Sequence, residues 1–102
     1  MARWSFLTNH ARSLIVIAHD RDVRLRDIAA TLDITERSAQ SIVNDLADGG
    51  YVLKHRYGRR NRYQIQADRP LDEAIGRKRT IGDVLDLLVE ADTNNRGRKR
   101  PS

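Results

Sequence analysis

The stretch Leu25–Leu46, LRDIAATLDITERSAQSIVNDL, decides the fold. Leu25, Ile28, Ala29 and Leu32 recur at the three- and four-residue spacing of one helix face, which predicts a helix over 25–32. Residues 33–34 leave room only for a tight turn. Thr35 is a good N-cap, and Ala39, Ile42, Val43 and Leu46 follow at i, i+3, i+4 and i+7, so a second helix runs from there to about Asp48. The small Ala29 lets the two helices cross closely. Ile28, Leu32, Ile34, Ala39 and Ile42 then share a miniature core, and the N-terminal end of the second helix is left facing solvent.

Downstream, Gly49-Gly50 ends that helix, because glycine tolerates the left-handed backbone of a helix C-terminus. The period then changes to two. Tyr51, Leu53, His55 and Tyr57 alternate with Val52, Lys54 and Arg56, and Asn61 to Gln66 alternates again across a Gly58-Arg59-Arg60 turn, which predicts a β-hairpin with an arginine-rich tip. Tyr51, Tyr63 and Ile65 are the candidates for anchoring it to the helices. Upstream, residues 7–19 read as a helix with Thr8 as N-cap and a stripe of Leu7, Ala11, Leu14, Ile15 and Ala18. Val16 and Ile17 widen that stripe, either toward a partner subunit or beneath Trp4 and Phe6. Residues 67–79 form a long connector with a helical turn after Pro70. Thr80 and Asp83 make a capping-box-like pair for a last helix over 80–91, whose stripe is Ile81, Val84, Leu85 and Leu88. The expected fold is mainly α with a small β-hairpin. One domain spans 1–91, and residues 92–102 make a basic tail with no apolar side chain and an expectation of disorder.

The chain has 102 residues, a net charge of +5 and no cysteine. Disulfides, cysteine-zinc sites and thiol nucleophiles are thereby excluded, and no apolar run is long enough for a membrane span. With no secretory stretch at Met1–Ser5, a cytoplasmic protein is expected. The charge is unevenly placed. Residues 1–50 carry six arginines against seven acids, whereas 51–69 alone reach +5 and 92–102 reach +3 through Arg96, Arg98, Lys99 and Arg100. A local concentration of this kind steers and holds a polyanion, and nucleic acid is the commonest large one.

The Leu25–Leu46 segment resembles helix-turn-helix transcription factors. With Gly50-Tyr51-Val52 and the Gly58-to-Tyr63 hairpin it is similar to the winged helix-turn-helix regulators of the MarR-like group, of the compact bacterial type, over roughly residues 4–90. Asp33 departs from the pattern, which usually has glycine at that turn position. Asp tolerates the left-handed backbone better than most residues. The resemblance implies a sequence-specific, double-stranded DNA-binding transcriptional regulator, nucleoid-associated and acting as a homodimer on a pseudo-palindromic operator.

The recognition helix would present Thr35, Glu36, Arg37, Ser38, Gln40, Ser41 and Asn44. Arginine suits guanine, glutamine suits adenine, and serine bonds bases or phosphates. Glu36 fits either the helix N-terminus or a cytosine amino group. The wing would place Lys54, Arg56, Arg59, Arg60 and Arg62 on the phosphate backbone or in the minor groove. Arginines on a hairpin also discourage edge-to-edge aggregation, but four within seven residues exceed that need. Tyr57 and Tyr63 as stacking platforms would instead suit single strands. A dimer interface is expected at Leu14, Val16 and Ile17 of the first helix and at Ile81, Val84, Leu85 and Leu88 of the last, although the last helix could equally pack on its own domain. His10, His19 and His55 are dispersed, so no metal is expected. No nucleophile elbow or glycine-rich phosphate loop occurs, so neither an enzyme nor a cofactor is expected. The competing readings are a nucleoid or RNA-binding protein without sequence preference, and a winged-helix protein-interaction module. The sequence does not identify a small-molecule effector.

Overall fold

The structure, a computed structural model, describes residues 5–71 and 79–89. Trp4, most of the helical turn expected at 71–75 and the basic tail at 92–102 lie outside the described residues. Four helices and one two-stranded antiparallel hairpin follow in the order α1 (Asn9–His19), α2 (Leu25–Leu32), α3 (Glu36–Asp48), β1 (Val52–Tyr57), β2 (Arg60–Ile65) and α4 (Ile81–Val89). They divide into two compact units, Met1–Ile65 and Gln66–Ser102.

In the first unit α1 begins where Thr8 caps it, its hydroxyl accepting from the Ala11 amide at 3.1 Å. The buried face of α1 runs through Ser13, Leu14 and Ile17. This differs from the expected stripe, whose Leu7, Ala11, Ile15 and Ala18 are only half-buried. Ile17 is wholly buried in a cluster with Ile28, Ala29, Leu32, Ala39 and Val43. The extra apolar width of α1 thus serves the chain's own core. Ser13 Oγ is buried without a hydrogen-bond partner among the described residues, a desolvation cost that the surrounding apolar burial offsets.

The α2–α3 connection is built from two linked caps. Asp33 adopts φ 60, ψ 50, in the left-handed region. Its amide donates to Ala30 O at 3.3 Å, and the Ile34 amide donates to Ala29 O at 2.9 Å. These two bonds form a Schellman motif, which satisfies carbonyls that α2 would otherwise leave open. Thr35 then caps α3, accepting from the Ser38 amide at 3.0 Å. The far end of α3 repeats the device with Gly50 at φ 83, where Gly50 N donates to Ala47 O and Tyr51 N to Leu46 O. The left-handed residue there is Gly50, while Gly49 remains right-handed.

The hairpin register pairs Val52 with Ile65, Lys54 with Tyr63 and Tyr57 with Arg60. The loop is therefore the two residues Gly58-Arg59, shorter than the three-residue turn expected, and Arg60 already belongs to β2. Gly58 has φ 62 and Arg59 does not share a positive φ, the pattern of a type II′ turn, which suits the twist of paired strands. Directly opposed residues share a face, so Val52, Lys54, Arg56, Tyr63 and Ile65 lie together. Only the helix-proximal end of that face meets the core. Val52 and Tyr63 are buried and Ile65 is half-buried, while Lys54 and Arg56 are exposed. The Tyr63 amide also donates to Arg21 O at 3.0 Å, which ties β2 to the α1–α2 loop.

In the second unit, the Ile81 and Gly82 amides donate to Arg69 O and Ala67 O, and Pro70 bridges Thr80. A Cβ on Gly82 would lie 3.1 Å from Ala67 O, so a side chain there would press this segment outward by a few tenths of an ångström. The expected capping box forms, with Thr80 N donating to Asp83 Oδ2 at 3.0 Å and Asp83 N to Thr80 Oγ1 at 3.2 Å. The Thr80 amide, helped by the Arg79 charge, holds the Asp83 carboxyl below its ordinary range.

The left-handed Asp33 gives a stability order. Asp33→Gly should hold or raise the melting temperature, whereas Asp33→Val should lower the unfolding free energy by about 1–2 kcal/mol, because a β-branched side chain is strained there. Thermal unfolding followed by circular dichroism measures this, and a variant order with Val at or above Asp would contradict it.

Candidate nucleic-acid interface

The solvent face of α3 carries the whole expected reading set. Thr35, Glu36, Arg37, Ser38, Gln40, Ser41 and Asn44 are all exposed, while Ala39, Ile42, Val43 and Leu46 are buried. A 13-residue helix is roughly 20 Å long, and these side chains occupy its first three-quarters. The positions are not equally free. Thr35 is committed to the cap and also donates its hydroxyl proton to Ser38 Oγ at 3.0 Å. Arg37, Gln40 and Ser41 make no side-chain hydrogen bond to any described residue.

Tyr63 fixes the hairpin beside this face. It is 2% exposed and belongs to the same buried cluster as α2 and α3. Burial raises its phenol above the ordinary value, against an opposing hydrogen bond from Asn61. Lys54 Nζ then donates to Asn44 Oδ1 at 3.1 Å, so one expected wing residue meets one expected reader residue.

The four hairpin arginines have different surroundings. Arg56 Nε donates to Gly58 O at 3.1 Å and braces the turn. Arg60 donates to Asp22 O at 2.8 Å, and Arg62 Nε lies 3.5 Å from the Asp22 carboxylate. Both groups of the latter pair are more than half exposed, so it contributes about 0–1 kcal/mol and remains exchangeable. Arg59, at the turn, has no partner among the described residues. The sequence reading treated the four as one phosphate-facing set; the structure shows two of them also tethering the hairpin to the α1–α2 loop.

Beside Arg59 and Arg60 opens a cavity of about 430 Å³ within the first unit. Its walls are the hairpin tip, the first turn of α2 and the start of α3 at Glu36. Arg24 and Arg26 line it too, and sequence reasoning missed them. They lie in a segment of balanced charge, and only their position opposite the hairpin tip makes them part of a cationic rim.

Of the expected dimer residues, Leu14, Ile17, Ile81 and Leu85 are buried, Val16 and Val84 are half-buried, and Leu88 is 40% exposed. Leu87, beside that stripe, is 80% exposed. Among the described residues no cluster of His or acidic side chains could hold a metal, and no helix is long and apolar enough to cross a membrane. No family model, curated protein or solved structure matches this chain.

The Tyr63 anchor has a pH signature. Its phenol is raised, so the stability from burying the neutral ring is fully present below the ordinary value near 10 and is lost as pH rises through the folded value. Alkaline unfolding followed by circular dichroism should show this loss, and Tyr63→Phe should reduce it. An unchanged alkaline profile in Tyr63→Phe would show that the ring does not carry the effect.

Proposed function

We propose that this protein is a double-stranded DNA-binding transcriptional regulator of the winged helix-turn-helix type, with α2 and α3 as the helix pair and the β1–β2 hairpin as the wing. The observation that carries the reading is the juxtaposition of an exposed polar helix face, on which Arg37, Gln40 and Ser41 make no side-chain hydrogen bond to any described residue, with an arginine-rich hairpin joined to it through Lys54 and Asn44. A protruding helix of this width fits the major groove, where Arg37, Gln40 and Ser41 offer the donors and acceptors that distinguish bases. Arg56, Arg59, Arg60 and Arg62 supply charge for the flanking backbone, and with Lys54 they make the hairpin strongly basic. The MarR-like resemblance agrees with this assignment of roles.

Regulators of this type read two half-sites as a two-fold dimer, with recognition helices about 34–36 Å apart. With Leu14 and Ile17 buried within the chain, a dimer contact through the first helix would fall to Val16, and one through the last helix to Val84, Leu87 and Leu88. A regulator of this kind would reside with the chromosome in the cytoplasm.

Selection of bound sequences from a random duplex library tests the reading. The expected result is a short two-fold symmetric motif, preferred over random duplex by at least about 10³. Arg59→Ala/Arg60→Ala should weaken binding more than about tenfold and lower the slope of log affinity against log salt by about 2. Equal affinity for all duplexes would favour an architectural or RNA-binding role. Loss of neither affinity nor slope in the double variant would point to a protein-interaction module.

A further inference from the structure

We propose that the cavity between the hairpin tip and the first turns of α2 and α3 is a binding site for a nucleoside monophosphate, and that its occupancy excludes duplex DNA. The competition clause rests on the DNA-binding reading above; the site itself does not. The volume of about 430 Å³ lies in the range that holds small ligands, roughly 300–1,000 Å³.

The chemistry of the walls selects the ligand. Arg24, Arg26 and Arg59 all line the cavity, and none of their guanidinium groups has a hydrogen bond or ion pair with any described residue. Three guanidiniums without a described partner at one concavity attract an anion, and the guanidinium fork matches the paired oxygens of a phosphate. A bare anion would leave the rest of the cavity unexplained. Half-buried Leu25, with Val23 and Tyr63 buried behind it, gives the cavity an apolar edge for a ring system. Glu36 and Asp22 place carboxylates at the rim, and these accept from N–H and O–H groups rather than from an anion. A ligand with a phosphate at one end and an apolar ring edged by donors at the other satisfies all three walls, and a nucleoside monophosphate has that form. Its phosphate would occupy Arg59, and its base edge would lie at Glu36, the first residue of α3. Both groups belong to the surface proposed to meet DNA, so the two ligands cannot be held together.

The test is titration of the isotope-labelled protein with each of the four common ribonucleoside monophosphates, and separately with inorganic phosphate, followed by amide NMR. The expected result is saturable shifts confined to Arg24–Arg26, Glu36 and Arg59–Asn61, with at least one nucleotide binding about tenfold or more tightly than inorganic phosphate. Arg24→Gln/Arg26→Gln should abolish them while the melting temperature holds. If that variant unfolds, Arg59→Gln, at an exposed turn position, provides the same comparison. The tightest nucleotide should also displace a labelled duplex. If every nucleotide binds no better than inorganic phosphate, the cavity is only a cationic surface and the proposal fails. If duplex DNA shifts these amides and no nucleotide does, the proposal fails and the DNA-binding reading stands. If nucleotides bind while no duplex does, the site stands and the DNA-binding reading falls with the competition.

Discussion

The burial of Tyr63 is the constraint from which the interface follows. A two-stranded hairpin is marginal in water by itself, and this one turns five of the six residues of β1 to solvent. What holds it is the Tyr63 ring sunk into the Ile17–Ile28–Ala39–Val43 cluster, with Val52 buried and Ile65 packed on the same face and the backbone bond from Tyr63 to Arg21 alongside. That cluster is also what fixes α2 against α3. The small Ala29 and Ala39 permit close packing of the two helices. One packed core therefore sets both the angle of α3 and the position of the hairpin. Their relative placement follows from close packing rather than from the exposed contacts, since the Lys54–Asn44 and Arg62–Asp22 pairs contribute little by themselves.

Charge has two roles in this arrangement. The hairpin arginines look interchangeable in sequence, but Asp22 divides them. Arg60 and Arg62 stand against that residue, and Arg59 stands free at the turn. The tip lies near the start of α2, where Arg24 and Arg26 line the same cavity. The cationic rim is consequently a product of two separate chain segments.

Much of this fold was legible in the sequence, for local reasons. Thr8, Thr35 and the Thr80–Asp83 pair signal helix starts through hydrogen bonds that reach only three residues. The 25–32 helix and the Asp33 turn follow from apolar spacing and from the tolerance of Asp for a left-handed backbone. The exposed set on α3 follows from the same spacing. The errors arose where tertiary packing decided the outcome. The inward face of α1 is centred on Ser13, Leu14 and Ile17, because the position of the other helices chooses among several apolar stripes. Strict alternation along β1 concealed that only Val52 reaches the core. Arg24 and Arg26 carry no local signal, since a cavity wall is made by residues distant in sequence.

The proposed nucleic-acid surface joins α3 and the hairpin because one core holds both. Hydrogen exchange during titration with a selected duplex tests it most directly. The account predicts that amides in the first half of α3 and at Lys54–Arg62 gain protection together, with the same duplex concentration at half-effect. Protection confined to one of the two segments, or half-effects that separate, would contradict it.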